Sequence, residues 1–218
     1  ASLHKAKDFT KDQSFFLFAT LQEQLNYVRF PLGDFKKSEI RKLAQKYELD
    51  VSDKPDSQDI CFVTSDTYRD LVKNLNPSVN KKGIIYDIDN NILGTHNGIS
   101  NYTIGQRKGI GISGSKEALY VIDIDKNQNS ITLGIKEKLK KNVINFKNIN
   151  WLGGNTLPQK LDCSAKIRST QEDLPGILDI YSDYGTFTFE SELDKTSPGQ
   201  ACVFYKNDQL LGGGWIIA

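Results

Sequence analysis

Gly83-Ile84-Ile85-Tyr86-Asp87-Ile88-Asp89-Asn90-Asn91-Ile92-Leu93-Gly94 decides the fold. Two short runs of β-branched and aromatic residues flank a cluster of Asp and Asn, the pattern of a hairpin. Upstream of this stretch apolar residues recur mostly at helical spacing; downstream they alternate. The chain therefore reads as α+β, helical first and β-rich afterwards. Leu119 to Asp125 and Ser130 to Ile135 form a second hairpin around Lys126-Asn127-Gln128-Asn129. Further on, Cys163, Ala165 and Ile167 alternate with Ser164, Lys166 and Arg168, so the first set faces one way and the second the other. Phe187 and Phe189 share a strand face, Asn207-Asp208 is a turn, and Gly212-Gly213-Gly214 allows close backbone approach. These strands make a small antiparallel barrel, with Cys163 and Cys202 as packing residues.

Toward the N-terminus, Thr10-Lys11-Asp12-Gln13 has capping-box spacing. Phe15, Phe16, Leu17, Phe18, Leu21, Leu25 and Val28 follow as a helical stripe. Lys11-Asp12-Gln13 is either a solvated first turn or a helix start whose free N–H groups hold a phosphate. Phe30-Pro31-Leu32-Gly33-Asp34 turns the chain, and Ser38 caps a second helix through Ile40, Leu43, Ala44 and Tyr47. Lys36, Lys37, Arg41 and Lys42 form a solvated face or a contact for RNA backbone.

Asp53-Lys54-Pro55-Asp56-Ser57-Gln58-Asp59-Ile60-Cys61-Phe62-Val63 joins the two halves. Cys61 follows a polar, proline-broken loop. It reads either as a small buried hydrophobe or as a thiolate favoured by Lys54 and turn N–H groups. A short helix from Ser65 to about Leu75 ends at Asn76-Pro77. Gly105, Gly109, Gly111 and Gly114 surround Gln106, Arg107 and Lys108. Their spacing is not that of a Walker loop. A flexible basic loop around RNA backbone, or a tight structural loop with an exposed Arg-Lys pair, fits better. His96, near a turn, is read as structural.

Lys and Arg number 28 against 27 Asp and Glu, so no global field announces nucleic acid, though a local basic face is compatible with that total. Three scattered cysteines point to a reducing, cytoplasmic compartment, and with two histidines no zinc site is expected. No apolar run approaches the ~18 residues of a membrane span. The chain has no methionine and starts at Ala1, so it reads as a piece of something longer.

Asp56-Ser57-Gln58-Asp59-Ile60-Cys61-Phe62-Val63 resembles a segment of the tRNA-specific 2-thiouridylases, which replace O2 of a wobble uridine with sulfur. So do Lys11 to Leu17, Gly94 to Ile99 running into Tyr102 to Gly109, Ser197 to Ala201, and Leu211 to Gly214, in the same order. The resemblance implies tRNA contacts at Lys11, Asp12, Gln13, Arg168, Ser169 and Gln200, to which Gln106, Arg107 and Lys108 are added from the basic loop. Ser169 stands where a tyrosine is usual in the family. The resemblance also implies three parts: 1–60 as the end of a helical ATP-pyrophosphatase-like catalytic domain, 61–140 as a β-rich central domain with one short helix, and 141–218 as a tRNA-binding β-barrel. The family's phosphate loop, which binds ATP, and its first catalytic cysteine are not in this sequence. A fragment without them is expected to be inactive alone.

By the same resemblance, ATP adenylates the uridine oxygen, and Cys61 receives persulfide sulfur from a donor protein. The first cysteine then resolves the persulfide as a disulfide bond. Two other readings stay open: a non-catalytic tRNA-binding module, and a thiol-redox protein, which needs a paired cysteine that strand-bound Cys163 and Cys202 do not obviously supply.

Overall fold

A computed structural model describes residues 1–52, 81–115, 117–194 and 196–217. Cys61, the loop before it and the helix expected at 65–75 lie outside the described residues. The chain divides into two units, here taken separately: residues 1–52, 142–191 and 198–217 in one, and 81–141, 192–194 and 196–197 in the other.

The strands of the first unit are β1 (Leu3–His4), β6 (Lys140–Trp151), β7 (Lys160–Lys166), β8 (Leu174–Tyr181), β9 (Tyr184–Asp194), β10 (Ala201–Lys206) and β11 (Gln209–Ile216), the first residues of β6 and the last of β9 running into the other unit. They run in the order β11-β10-β7-β8-β9-β6, and β6 returns to pair with β11, closing a six-stranded barrel. Closure removes the sheet edges that would otherwise seek partners. The barrel interior holds an aromatic cluster: Phe146 lies 5.0 Å from Phe204, and Phe187 lies 4.6 Å from Phe189 and stacks on Phe204 at 6.1 Å. The glycines at 212–214 fit as expected. A Cβ on Gly212 would meet the Asn150 carbonyl oxygen at 2.1 Å, and Gly212 itself has φ +136°. Only glycine lets β6 and β11 approach this closely.

The outer face of β10 and β11 is covered as well. Leu3, Phe15, Phe18 and Leu25 pack on Ala201, Val203, Tyr205 and Leu210 to form one buried cluster. Pinning this cover, the Asn150 amide donates to the carbonyls of Phe18 and Thr20 at 2.7 and 2.8 Å, and β1 pairs with the start of β11. The apolar stripe from Phe15 to Val28 is therefore not one helix. Phe9–Lys11 and Ser14–Leu17 are 3-10 turns, and α1 (Gln22–Leu25) is a single turn. Docking of Phe15 and Phe18 on a flat sheet overrides helical periodicity. Helix α2 (Lys37–Lys46) forms as expected, but its cap is Lys36, not Ser38. The Lys36 N–H donates to Glu39 Oε2 at 2.7 Å, and the Lys37 N–H donates to Asp8 Oδ2 at 2.9 Å. That bond, first among several, holds the Asp8 carboxyl below its usual pKa.

In the second unit, β2 (Gly83–Tyr86) and β3 (Ile92–His96) form the first expected hairpin, and β4 (Tyr120–Asp125) and β5 (Ser130–Gly134) the second. Parallel pairing of β2 with β5 joins them in the order β3-β2-β5-β4. Ile85, Ile110, Val121, Ile131 and Leu133 are its core. In the run from Lys136 to Lys141, Lys136–Leu139 is a 3-10 turn leading directly into β6. The α+β character holds, with strands dominating.

Candidate nucleic-acid interface

Lys166 is buried at 8% exposure, against the outward placement expected from its position in β7. It does face out of the barrel, but the N-terminal segment lies over that face. Its ammonium sits 3.8 Å from Asp12 Oδ2 and 5.5 Å from the Tyr205 ring centre. Lys5 approaches the same ring at 4.6 Å and bonds Asp173 Oδ1 at 2.5 Å. Two cations, two carboxylates and one phenol are thus buried together, so each charge keeps a partner. Ser14 Oγ donates to Asp12 Oδ2 at 2.7 Å and lies 3.2 Å from Tyr205 Oη. Ser164 Oγ donates to Asp173 Oδ2 at 2.5 Å. Burial alone would raise the Asp173 pKa, yet hydrogen bonds from Lys5 and Ser164, with the Lys5 charge, lower it. Burial pushes the Tyr205 phenol up.

This network fixes the Lys11-Asp12-Gln13 turn. The Asp12 side chain, 4% exposed, accepts the backbone N–H groups of Ala6 and Ser14 at 3.0 and 3.2 Å on Oδ1. The expected helix start with free N–H groups is therefore absent, and a carboxylate already occupies that role. Asp12 is turned inward, whereas Lys11 and Gln13 on either side of it are exposed.

Strand register brings the other barrel positions to this end. β7 and β10 pair antiparallel through Val203 and Lys166. Two residues past Lys166 comes Arg168, exposed, followed by Ser169, half-buried; before Val203 comes Gln200, exposed. The Gln200 carbonyl accepts the Ile216 N–H at 2.8 Å. The Asp12–Lys166 pair thus ties the turn that carries Lys11 and Gln13 to the end of β7 that Arg168 and Ser169 follow, next to the strand that Gln200 precedes.

Gln106, Arg107 and Lys108 belong to the second unit. There the Gln106 side chain accepts the Thr103 N–H at 3.0 Å and donates to the Lys108 carbonyl at 3.0 Å. Gln106 folds the loop tip across itself, and Arg107 and Lys108 are left exposed. Gly105 and Gly109 make this turn with φ of +87° and +73°. His96 is buried and structural: its Nδ1 accepts the Gly98 N–H at 3.0 Å, so Nε2 donates to the Asn129 carbonyl at 3.1 Å.

Neither described cysteine is suited to chemistry. Burial pushes the Cys163 thiol up to about 12, and fully buried Cys202 is pushed up too. Both are free thiols, so no disulfide is seen among the described residues. No cluster of His, Cys, Asp or Glu among them could hold a metal ion, and no helix among them is long and apolar enough to cross a membrane.

Trp215 escaped the sequence reading because it trails a glycine run with no periodicity of its own. It is 42% exposed and meets Phe18 edge-on at 5.1 Å.

Residues 1–65 match a family model described as a tRNA methyl transferase HUP domain, 70–135 one described as a tRNA methyl transferase PRC-barrel domain, and 141–216 one described as an aminomethyltransferase β-barrel domain. The chain is 49% identical to a tRNA-specific 2-thiouridylase of Ehrlichia ruminantium (strain Gardel), over 98% of this chain and 58% of that protein. It is 50% identical to one of Orientia tsutsugamushi (strain Boryong), over 98% and 58%, and 47% identical to one of Anaplasma marginale (strain St. Maries), over 97% and 55%. It therefore spans less than two thirds of the length of these relatives.

Proposed function

Since this chain belongs to the tRNA-specific 2-thiouridylase family, we propose that it serves sulfur transfer to C2 of the wobble uridine of tRNA, in the cytoplasm. One observation carries the RNA side of this reading. Lys11 and Gln13 flank Asp12, which pairs with Lys166 at the end of β7, two residues before exposed Arg168 and beside the strand that exposed Gln200 precedes. Arg168 and Lys11 supply positive charge for phosphates, and Gln13 and Gln200 supply amides for sugar or base edges. Asp12 positions this turn from within and does not itself touch RNA. Ser169 contributes a short hydroxyl at most. Arg107 and Lys108 form a second basic contact on the other unit, shaped by Gln106.

Cys61 is the proposed sulfur carrier. The terminal sulfur of its persulfide, loaded by a donor protein, attacks the activated carbon and displaces AMP; a second cysteine thiolate then attacks the Cys61 sulfur and breaks the S–S bond, so the new sulfur stays on the uridine and the two cysteines leave as a disulfide, to be reduced by an external thiol before the next turnover. The support is the family membership and the inertness of the other two thiols. Among the described residues, the glycine-rich loop does not fit ATP. The glycine-rich loop at 105–114 opens no helix, and a Cβ on Gly105, Gly111 or Gly114 would meet open space, not a cradle. Activation of the uridine oxygen is assigned to the phosphate loop that the family resemblance implies. In the proposed division, 1–60 belongs to the catalytic domain, 61–140 is a central module and 141–218 is the tRNA-binding barrel.

Titrating the chain with an unmodified tRNA transcript at several salt concentrations tests the RNA reading. Binding should weaken steeply with salt, and Arg168→Ala should flatten that dependence. Binding unaffected by salt and by Arg168→Ala would remove this surface from the interface.

A further inference from the structure

Register and side-chain alternation place a row of outward-facing residues across three adjacent strands of the barrel, β10, β11 and β6. Lys166 and Val203 are partners on the outer face, so Ala201, two residues along β10, faces out as well, and exposed Arg168 follows the end of β7 two residues past Lys166. Ala201 pairs with Trp215, and Trp215 pairs with Lys147. Directly opposed residues of antiparallel strands lie on one face. The row therefore reads Ala201, Trp215, Lys147, with Arg168 just past the end of the neighbouring β7. Arg168 and Lys147 are exposed, and neither has an ion-pair partner among the described residues. The Phe18 ring, edge-on to Trp215, supports it without covering it.

We propose that Trp215 is a stacking platform for one unpaired base of the bound RNA, with Arg168 and Lys147 contacting phosphates on either side. A large aromatic between two exposed cations is costly to leave open to water on a soluble surface. An unpaired nucleotide answers both features, since it carries a π face and flanking negative charge. The inference rests on the RNA-binding reading above and adds to it a residue that reads a base.

Trp151 and Trp215 are the two tryptophans of the chain. The buried Trp151 indole N–H has no partner among the described residues, so Trp151→Phe removes no hydrogen bond to them and leaves Trp215 as the sole indole emitter. In that background, titration with an unmodified tRNA transcript should change the indole emission. Trp215→Leu should weaken binding roughly tenfold or more while keeping the salt slope, and Trp215→Phe should bind within about threefold of the parent. Lys147→Ala should reduce the slope by about one. RNA that binds with unchanged emission and equal affinity for Trp215→Leu would overturn the platform alone. So would a folded Trp215→Phe that loses as much as Trp215→Leu. Absence of any tRNA binding by the parent chain would overturn the RNA reading and the platform with it.

Discussion

The Lys166 ammonium lies 3.8 Å from the Asp12 carboxylate, and through this pair the Lys11–Gln13 turn is held against the outer face of β7. Both side chains are at most 10% exposed. Asp12 also accepts two backbone N–H groups and the Ser14 hydroxyl. Asp12→Ala takes the carboxylate acceptor from all of these donors and leaves the buried Lys166 ammonium with only the Tyr205 ring beside it. The expected loss is about 3 kcal/mol, read as a lower urea midpoint with unchanged m-value. Lys11 and Gln13 should lose their fixed placement together, so tRNA affinity should fall although Asp12 faces inward.

Asp173 gives the fold an acid-sensitive contact. Its pKa is lowered in the folded chain, so its contribution is complete above the ordinary carboxylate pKa of about 3.9. That contribution is lost as pH falls through the lowered folded value. Asp173→Asn should be less stable than the parent near neutrality and should show a flatter stability profile on the acid side. Urea unfolding across that pH range checks it; parallel profiles would show that the Lys5–Asp173 pair carries no linkage.

Much of the fold was legible in the sequence. Both hairpins and the barrel strands followed from alternation and from turn residues such as Asn207, which takes φ +57° between β10 and β11. What was not legible came from one event, the N-terminal segment lying down on the barrel's outer face. It buries the outward-facing Lys166 and breaks the stripe from Phe15 to Val28 into 3-10 turns. It also turns Asp12 inward. Alternation within a strand cannot report a second covered face, and the charged residues that meet there are distant in sequence. At the candidate site, Arg168 and Gln200 were legible through family resemblance, but Trp215 carries no motif.

The seam between β6 and β11 depends on Gly212. Gly212→Ala meets both a positive φ and a backbone oxygen 2.1 Å from the new Cβ. The expected cost is about 2–4 kcal/mol, larger than for an exposed loop glycine such as Gly114. Thermal melts of the two variants check the order; equal melting temperatures would mean that the seam yields.

Thiol reactivity separates the three cysteines. Native Cys163 and Cys202 should resist alkylation at neutral pH, and Cys61 should take the label first. Peptide mapping after brief iodoacetamide treatment distinguishes them, and fast labelling of Cys163 would undo its packing role.

The central claim concerns sulfur delivered from Cys61 to tRNA. Its most direct test is 2-thiouridine formation at the wobble position, measured by nucleoside mass spectrometry, for the full-length protein and its Cys61→Ser variant with ATP and a persulfide donor. The account predicts thiolation by the parent and background levels for the variant. Undiminished 2-thiouridine with Cys61→Ser would contradict it.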